Sequence, residues 1–150
     1  MAEENTVLSG QALQVRAKHE SMTIYNPSMP PGCPPSSAWL VSGEIWRGVK
    51  KMPMSAASFL SEAERGTVGI DLSSAKAWGL SIWCSEEAAL HARKIIPFMR
   101  KWHLARGEPT AKGVMMKTPS NDNTEHHTWW KPLAYDPAPD FVVAIPPLKP

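Results

Sequence analysis

Cysteine is scarce in this chain of 150 residues, and long hydrophobic runs are absent from it. Its two cysteines, Cys33 and Cys84, lie too far apart to suggest a disulfide framework or a zinc-binding spacing. We therefore expect two free thiols in a reducing compartment. No segment approaches the roughly 18 consecutive apolar residues of a transmembrane helix. The N-terminal stretch also lacks the apolar centre of a signal peptide. These absences predict a cytoplasmic protein.

A large excess of positive or negative charge is lacking as well, since the formal net charge is only +2. Such a small excess argues against nucleic acid as a partner. The five histidines show no ligand spacing. His126 and His127 are adjacent, and adjacent side chains of a strand point to opposite faces, so we expect no metal site. A Walker loop, a GxGxxG fingerprint, a nucleophile elbow and an HExxH motif are all missing, which weighs against the common nucleotide-binding, hydrolase and metalloprotease folds.

Proline and tryptophan are abundant, with 15 and 7 residues. Proline use is about twice the average of about 5%. Residues 27–36 hold five prolines and predict an extended spacer or an ordered loop over the surface. We therefore divide the chain into an N-terminal segment with a proline-rich lead-in, 1–36, and a domain, 37–150. A short helix is predicted around Gln11–Lys18.

The order of elements predicts a single compact α+β domain with mixed, mostly antiparallel sheets and two or three helices. A helix is expected over 55–66, with Ser55 as N-cap and Gly66 after its end. A second helix is expected from residue 86 onward, kinked or ended by Pro97. Strands are predicted at 37–51 with a bulge or a break at Gly43, at 77–85, twice within 103–120, at 125–132, and at 140–147, where the apolar run indicates a buried final strand.

The late segment "TEHHTWW" contains the densest group of chemically active side chains. In a regular strand Glu125, His127 and Trp129 share one face, because side chains alternate with a period of two. This row of acid, imidazole and indole is a candidate ligand-facing surface, although it is equally typical of the solvent face of an edge strand. His127 is a candidate acid or base, since imidazole titrates near neutral pH.

Three short segments stand in a suggestive order: "EIWRGVK", "WGLSIW" and "TEHHTWW". Together they resemble the arginine–serine–glutamate class of ADP-ribosyltransferases. The resemblance implies a split α+β domain that holds NAD in a cleft between two sheets. It further implies a toxin- or effector-type enzyme that cleaves the nicotinamide glycosidic bond. The family's Ser-Thr-Ser strand reads "GLSIW" here, and its pair of glutamates reads "EHH".

The resemblance also implies a role for each matched residue. Arg47, followed by Gly48, would hold the pyrophosphate, Ser81 would orient the dinucleotide, and Glu125 would stabilise the positive charge that develops on the ribose. The nicotinamide ring would stack on Trp83 or Trp129. We expect Arg47→Ala to abolish NAD binding with little loss of stability, and Glu125→Gln to stop the release of nicotinamide.

Two other functions are compatible with the same sequence. One is a non-catalytic module, such as a bacterial accessory, immunity or defence protein, that binds a protein partner through its tryptophans and the proline-rich segments 27–36 and 132–150. The other is a different enzyme with His127 as its base. An enzyme should gather Arg47, Ser81 and Glu125 in one cleft, whereas a binding module should expose an apolar patch.

Overall fold

A computed structural model describes residues 23–148 of the chain. Over this range the protein is a compact α+β domain with seven antiparallel strands in two sheets and two α-helices, which confirms the predicted fold class. The helix predicted around Gln11–Lys18 lies outside the described residues. Cys33 and Cys84 are both free thiols, as expected. No helix among residues 23–148 is both long enough and apolar enough to cross a membrane.

The two sheets have four and three strands. The four-stranded sheet has the order β1-β5-β6-β3, and the three-stranded sheet has the order β2-β4-β7. The first sheet contains β1 (Trp39–Leu40), β5 (Val114–Lys117), β6 (His127–Trp130) and β3 (Leu80–Ile82). The second contains β2 (Ile45–Val49), β4 (His103–Gly107) and β7 (Phe141–Ile145).

A backbone bridge between Trp46 and Trp83 links the sheets. The backbone N–H of Trp46, on β2, donates to the carbonyl of Trp83 over 2.7 Å, and the N–H of Trp83 donates back over 2.9 Å. Trp83 follows directly after β3. Gly43, with φ of 78°, lies in the break between β1 and β2, which is one of the two alternatives that the sequence left open for this residue. The break lets β1 and β2 join different sheets, and it brings β2 beside β3.

The helix predicted over 55–66 is interrupted in its middle. A 3₁₀ turn spans Ala56–Phe59, and α1 (Glu62–Arg65) follows it. Phe59 is fully buried, and the chain is extended at the next residue. Ser55 is the N-cap of the 3₁₀ turn, as predicted, and the side chain of Ser61 accepts the N–H of Glu64 and caps α1 separately. Gly66 ends α1 in the left-handed conformation, as predicted.

The second helix confirms the expected effect of proline. The helix α2 (Glu86–Ile95) begins after Ser85, whose side chain accepts the N–H of Ala88. It ends one residue before the extended Ile96, because Pro97 disfavours a helical conformation at the residue that precedes it. A 3₁₀ turn, Pro97–Lys101, carries the chain into β4.

The final strand is an edge strand and is not buried throughout, which corrects the sequence prediction. Phe141 is buried, but Val142 is 55% exposed, and burial alternates along β7. The reason is that β7 lies at the outer edge of the three-stranded sheet and covers the core with one face only. That core includes Phe59, Phe141 and Trp129.

Candidate active site

A cavity of about 870 Å³ opens beside the bridge that links the sheets. Its volume falls in the range of pockets that enclose small molecules and cofactors. Arg47 and Gly48 of β2 line it from one sheet, and Ser81 and Trp83 line it from the other. The segments around both helices complete its wall.

The lining of the cavity is cationic and partly aromatic. Five lysine and arginine residues and two carboxylates contribute to it among the described residues. An excess of positive charge around a concave surface raises the local concentration of anions. The aromatic rings of Phe98 and Trp102 also line the cavity, and their centroids are 4.9 Å apart. The cations are Arg47, Lys50, Lys51, Arg65 and Lys76, and the carboxylates are Glu62 and Asp71.

Arg47 holds two walls of the cavity together. Its Nε donates to the carbonyl of Ser58 over 3.2 Å, and its Nη1 donates to the carbonyl of Ser81 over 3.0 Å. Burial, reinforced by the positive charge of Arg65, lowers the pKa of Arg47 to about 10, so the side chain is still a cation at neutral pH. Two of the five guanidinium N–H groups make these backbone bonds, which leaves three for a ligand.

Ser81 and His126 are joined by a hydrogen bond of 2.9 Å between Oγ and Nε2. The other ring nitrogen of His126, Nδ1, lies 3.0 Å from the carbonyl oxygen of Thr118. A carbonyl can only accept, so Nδ1 carries the proton of the neutral ring and donates it. Nε2 is then the acceptor, and the Ser81 hydroxyl donates to it. Both residues line the cavity.

Sheet pairing fixes this arrangement. Ser81 pairs with Thr128 in the register between β3 and β6, and His126 lies two residues earlier on the same face. The hydroxyls of Thr128 and Thr118 are 2.7 Å apart, and Thr118 Oγ1 is 2.9 Å from Nδ1 of His126. The imidazole is therefore oriented from β5 and β6, while the serine is presented from β3.

His126 is held in its neutral form. Burial lowers the pKa of His126, and the charges of Lys76 and His127 lower the pKa further against an opposing contribution from the Thr118 carbonyl. Burial also lowers the pKa of His127. Both groups bind protons less readily in the folded state than in the unfolded state. A neutral imidazole with a free Nε2 lone pair is the form that a general base requires.

We expect these two histidines to make stability fall as the solution is acidified. The unfolded chain binds more protons than the folded one below the ordinary histidine pKa of about 6.5, so the free energy of unfolding decreases as pH drops through that value. Urea unfolding at pH 7.5 and at pH 5.5 measures the decrease. His126→Gln should reduce it, whereas the same change at the exposed His91 should leave it intact. Stability that is equal at both pH values would contradict the expectation.

The row of Glu125, His127 and Trp129, which was predicted to face a ligand, does not line the cavity. His127 is buried, donates through Nδ1 to the Glu125 carbonyl over 3.0 Å, and meets the Trp39 ring edge-on. Trp129 is fully buried in the core against Phe141. Glu125 precedes the strand, is exposed, and forms an ion pair with Lys117 over 3.5 Å. Trp129 and Trp130 are both buried, on opposite faces of β6, and the contacts of Trp129 with Phe141 and Tyr135 place the face of His127 and Trp129 away from the cavity.

Four of the seven predicted site residues line the cavity, and three do not. Arg47, Gly48, Ser81 and Trp83 are brought together, while Glu125, His127 and Trp129 lie elsewhere. Trp83 is only 2% exposed, and its indole N–H donates to Asn123 over 3.1 Å, so it forms part of the floor.

The sequence interpretation missed His126, Thr128 and Lys76, which line the cavity. A signal for two of them was present in "HHTWW". If Trp129 is assigned to the core, strand alternation places His126 and Thr128 on the other face. No comparable signal marks Lys76, which lies in the 3₁₀ turn Ala75–Trp78 before β3.

Within residues 23–148, no three histidine, cysteine, aspartate or glutamate side chains lie close enough to hold a metal ion. Fold and site together describe an α+β domain with a cation-lined cavity where two antiparallel sheets meet. Comparison with known proteins gives no match to a family model, to a curated protein or to a solved structure.

Proposed function

We propose that the cavity binds NAD and that the protein cleaves the nicotinamide glycosidic bond, as a toxin- or effector-type enzyme similar to ADP-ribosyltransferases. One observation carries the proposal. Arg47 and Ser81, on the two strands that meet between the sheets, border the same cation-lined cavity. This agrees with the cleft between two sheets that the sequence resemblance implies.

The phosphates of NAD match the charge of the cavity. The guanidinium of Arg47 keeps three N–H donors beyond its bonds to the Ser58 and Ser81 carbonyls. Arginine binds phosphate oxygens with two parallel hydrogen bonds, and lysines add charge without fixed geometry. Lys50 and Lys76 lie on the same lining. A pyrophosphate near Arg47 would therefore meet several cations at once.

The flat rings of NAD match the aromatic part of the lining. Phe98 is 60% exposed, and Trp102 packs against it at the cavity wall. Exposed aromatic faces in a pocket favour stacking with a nicotinamide or adenine ring. Gly48 is needed for this wall, because a Cβ atom there would come within 2.8 Å of the Trp102 ring. The glycine thus lets the indole lie directly against β2.

The predicted role of Glu125 finds less support than that of Arg47. Its carboxylate is exposed beside Lys117, and it does not line the cavity. The lining carboxylates are Glu62 and Asp71. We therefore revise one expectation: Glu125→Gln should leave nicotinamide release largely unchanged.

A thermal-shift titration with NAD tests the proposal. Ligand at about 100 times its dissociation constant stabilises a native protein by about 2.7 kcal/mol. For a domain of this size that corresponds to a rise in Tm of roughly 5–10 °C. We expect NAD and ADP-ribose to raise Tm and chromatography to detect free nicotinamide. No shift with millimolar NAD or ADP-ribose would refute the proposal.

The alternative of a non-catalytic protein-binding module draws on a different observation. Val68 and Leu72, in the loop after α1, are 98% and 55% exposed. Contiguous patches of exposed apolar side chains mark surfaces that bind proteins, and these two residues are the large exposed apolar side chains that this loop offers to such a surface. The titration with NAD separates the two candidates, because a module of this kind would not be stabilised by a dinucleotide.

A further inference from the structure

We propose that Ser81 is the nucleophile that attacks the nicotinamide ribose of bound NAD, with His126 as its general base. The protein would thereby attach ADP-ribose to its own Ser81. This inference rests on the proposed binding of NAD. It identifies Ser81, a residue of the cavity, as the acceptor of the ADP-ribose group.

The first support is the geometry of a nucleophile, a base and a group that orients the base. Serine is a weak nucleophile unless a neighbouring base takes its proton, and the two must lie within about 2.6–3.2 Å. Oγ of Ser81 and Nε2 of His126 are 2.9 Å apart. The Thr118 carbonyl, 3.0 Å from Nδ1, holds the ring in the tautomer that leaves Nε2 free to accept.

The second support is the direction of the serine. Leu80 and Ile82, its neighbours on β3, are buried, whereas Ser81 is exposed and lines the cavity. Alternation along the strand thus presents this hydroxyl to a ligand and turns the apolar side chains into the core. The guanidinium of Arg47 donates to the backbone carbonyl of the same residue, so a phosphate held there would lie next to the nucleophile.

The third support is the location of the acids. A retaining glycosidase forms its covalent intermediate through a carboxylate. Glu125, which the sequence assigned to the ribose, is exposed and paired with Lys117 outside the cavity. Two other carboxylates, Glu62 and Asp71, line the cavity, but the hydrogen-bonded pair of a nucleophile and a base on its wall is Ser81 with His126.

The proposed step balances without a further reactant. The Oγ–C1′ bond forms as the C1′–N bond breaks, and the nicotinamide nitrogen keeps the bonding electron pair and leaves neutral. The serine proton moves to Nε2, and the resulting imidazolium keeps its Nδ1–H on the Thr118 carbonyl. Because the product is an ordinary O-glycoside, it is expected to be stable enough for detection by mass measurement.

Incubation of the full chain with NAD, followed by intact mass measurement and peptide mapping, tests this inference. We expect one ADP-ribose group per chain, located on Ser81, and one nicotinamide released for each group attached. Ser81→Ala should abolish the modification, and Ser81→Thr should restore part of it. His126→Gln should slow it by about 100-fold or more, the usual contribution of a general base. Ser42→Ala and His91→Gln, at exposed positions outside the cavity, should react like the unchanged chain.

Calorimetry on the same variants distinguishes the possible failures. The Ser81 and His126 variants should still bind NAD, which also shows that they fold. NAD binding without modification of Ser81, or with modification elsewhere, would overturn the inference and leave the proposed NAD site standing. A modification rate in His126→Gln equal to that of the unchanged chain would exclude His126 as the general base. Absence of NAD binding in the unchanged chain would overturn both the inference and the proposed function.

Discussion

Arg47→Ala is expected to weaken NAD binding by about 30-fold or more, which corresponds to a loss of about 2 kcal/mol or more for a charged contact in a partly buried site. The variant removes the cation that lies at the junction of the two sheets and borders the cavity. Isothermal titration with NAD measures the change in affinity. An unchanged affinity would contradict the assignment of Arg47 to the phosphates.

The same substitution should also destabilise the fold, contrary to the expectation from sequence. The guanidinium donates to the carbonyls of Ser58 and Ser81 and lies over the Phe59 ring at 5.9 Å. Losing two charge-assisted bonds at a partly exposed position should cost about 2–4 kcal/mol. Urea unfolding measures this loss. It also shows whether the variant is folded at the temperature of the NAD titration.

Arg106→Ala is the matched control for Arg47→Ala. Arg106 lies on the neighbouring strand β4, pairs with Trp46 and stacks over its ring at 5.9 Å, yet it does not line the cavity. Its removal should leave NAD affinity within about twofold, because a single surface charge outside the cavity contributes little to binding. A loss of affinity as large as that of Arg47→Ala would show that general charge, and not the Arg47 fork, governs binding.

Trp129→Ala is expected to reduce the free energy of unfolding by about 3–5 kcal/mol, the range for truncating a large aromatic side chain in a core. Trp129 is fully buried on β6, an inner strand of the four-stranded sheet. Its ring stacks on Phe141 with centroids 6.0 Å apart, and its indole N–H donates to the Lys112 carbonyl over 2.8 Å. Urea unfolding at pH 7.5 provides the measurement.

Two control variants test whether the loss of stability in Trp129→Ala comes from its burial. Trp39→Ala, at a half-buried position on the edge strand β1, should cost about 1 kcal/mol, near the centre of the distribution for point substitutions. Trp129→Phe should keep a folded protein whose NAD affinity is unchanged, because Trp129 does not line the cavity. A loss below about 1 kcal/mol for Trp129→Ala would refute its place in the core, and a loss of NAD affinity in Trp129→Phe would restore its predicted stacking role.

Local chemistry made several parts of the fold predictable. Pro97 ends α2, Gly66 ends α1, and Gly43 separates β1 from β2, because each acts on the backbone within a residue or two. Ser85 caps its helix for the same reason. The interruption before Ser61 was not predictable in this way, since the burial of Phe59 in the core overrides the helical preference of its neighbours.

The site was predictable only in part. Arg47 and Ser81 were singled out from their places on two strands, and those strands meet. The choice between His126 and His127 could not be made from alternation alone, because alternation separates two faces without saying which is inner. Phe141 and Tyr135 pack against Trp129 and thereby turn His127 inward and His126 towards the cavity.

By itself the sequence determined the α+β class, the C-terminal ends of both helices and the opposite orientation of neighbouring side chains, since these depend on interactions within a few residues. Only the tertiary structure decided that β4 and β5, close in sequence, belong to different sheets, and that Glu125 stays outside while His126 reaches Ser81. The physical reason is that such choices minimise exposed apolar area over the whole domain, and the residues that settle them lie far apart along the chain.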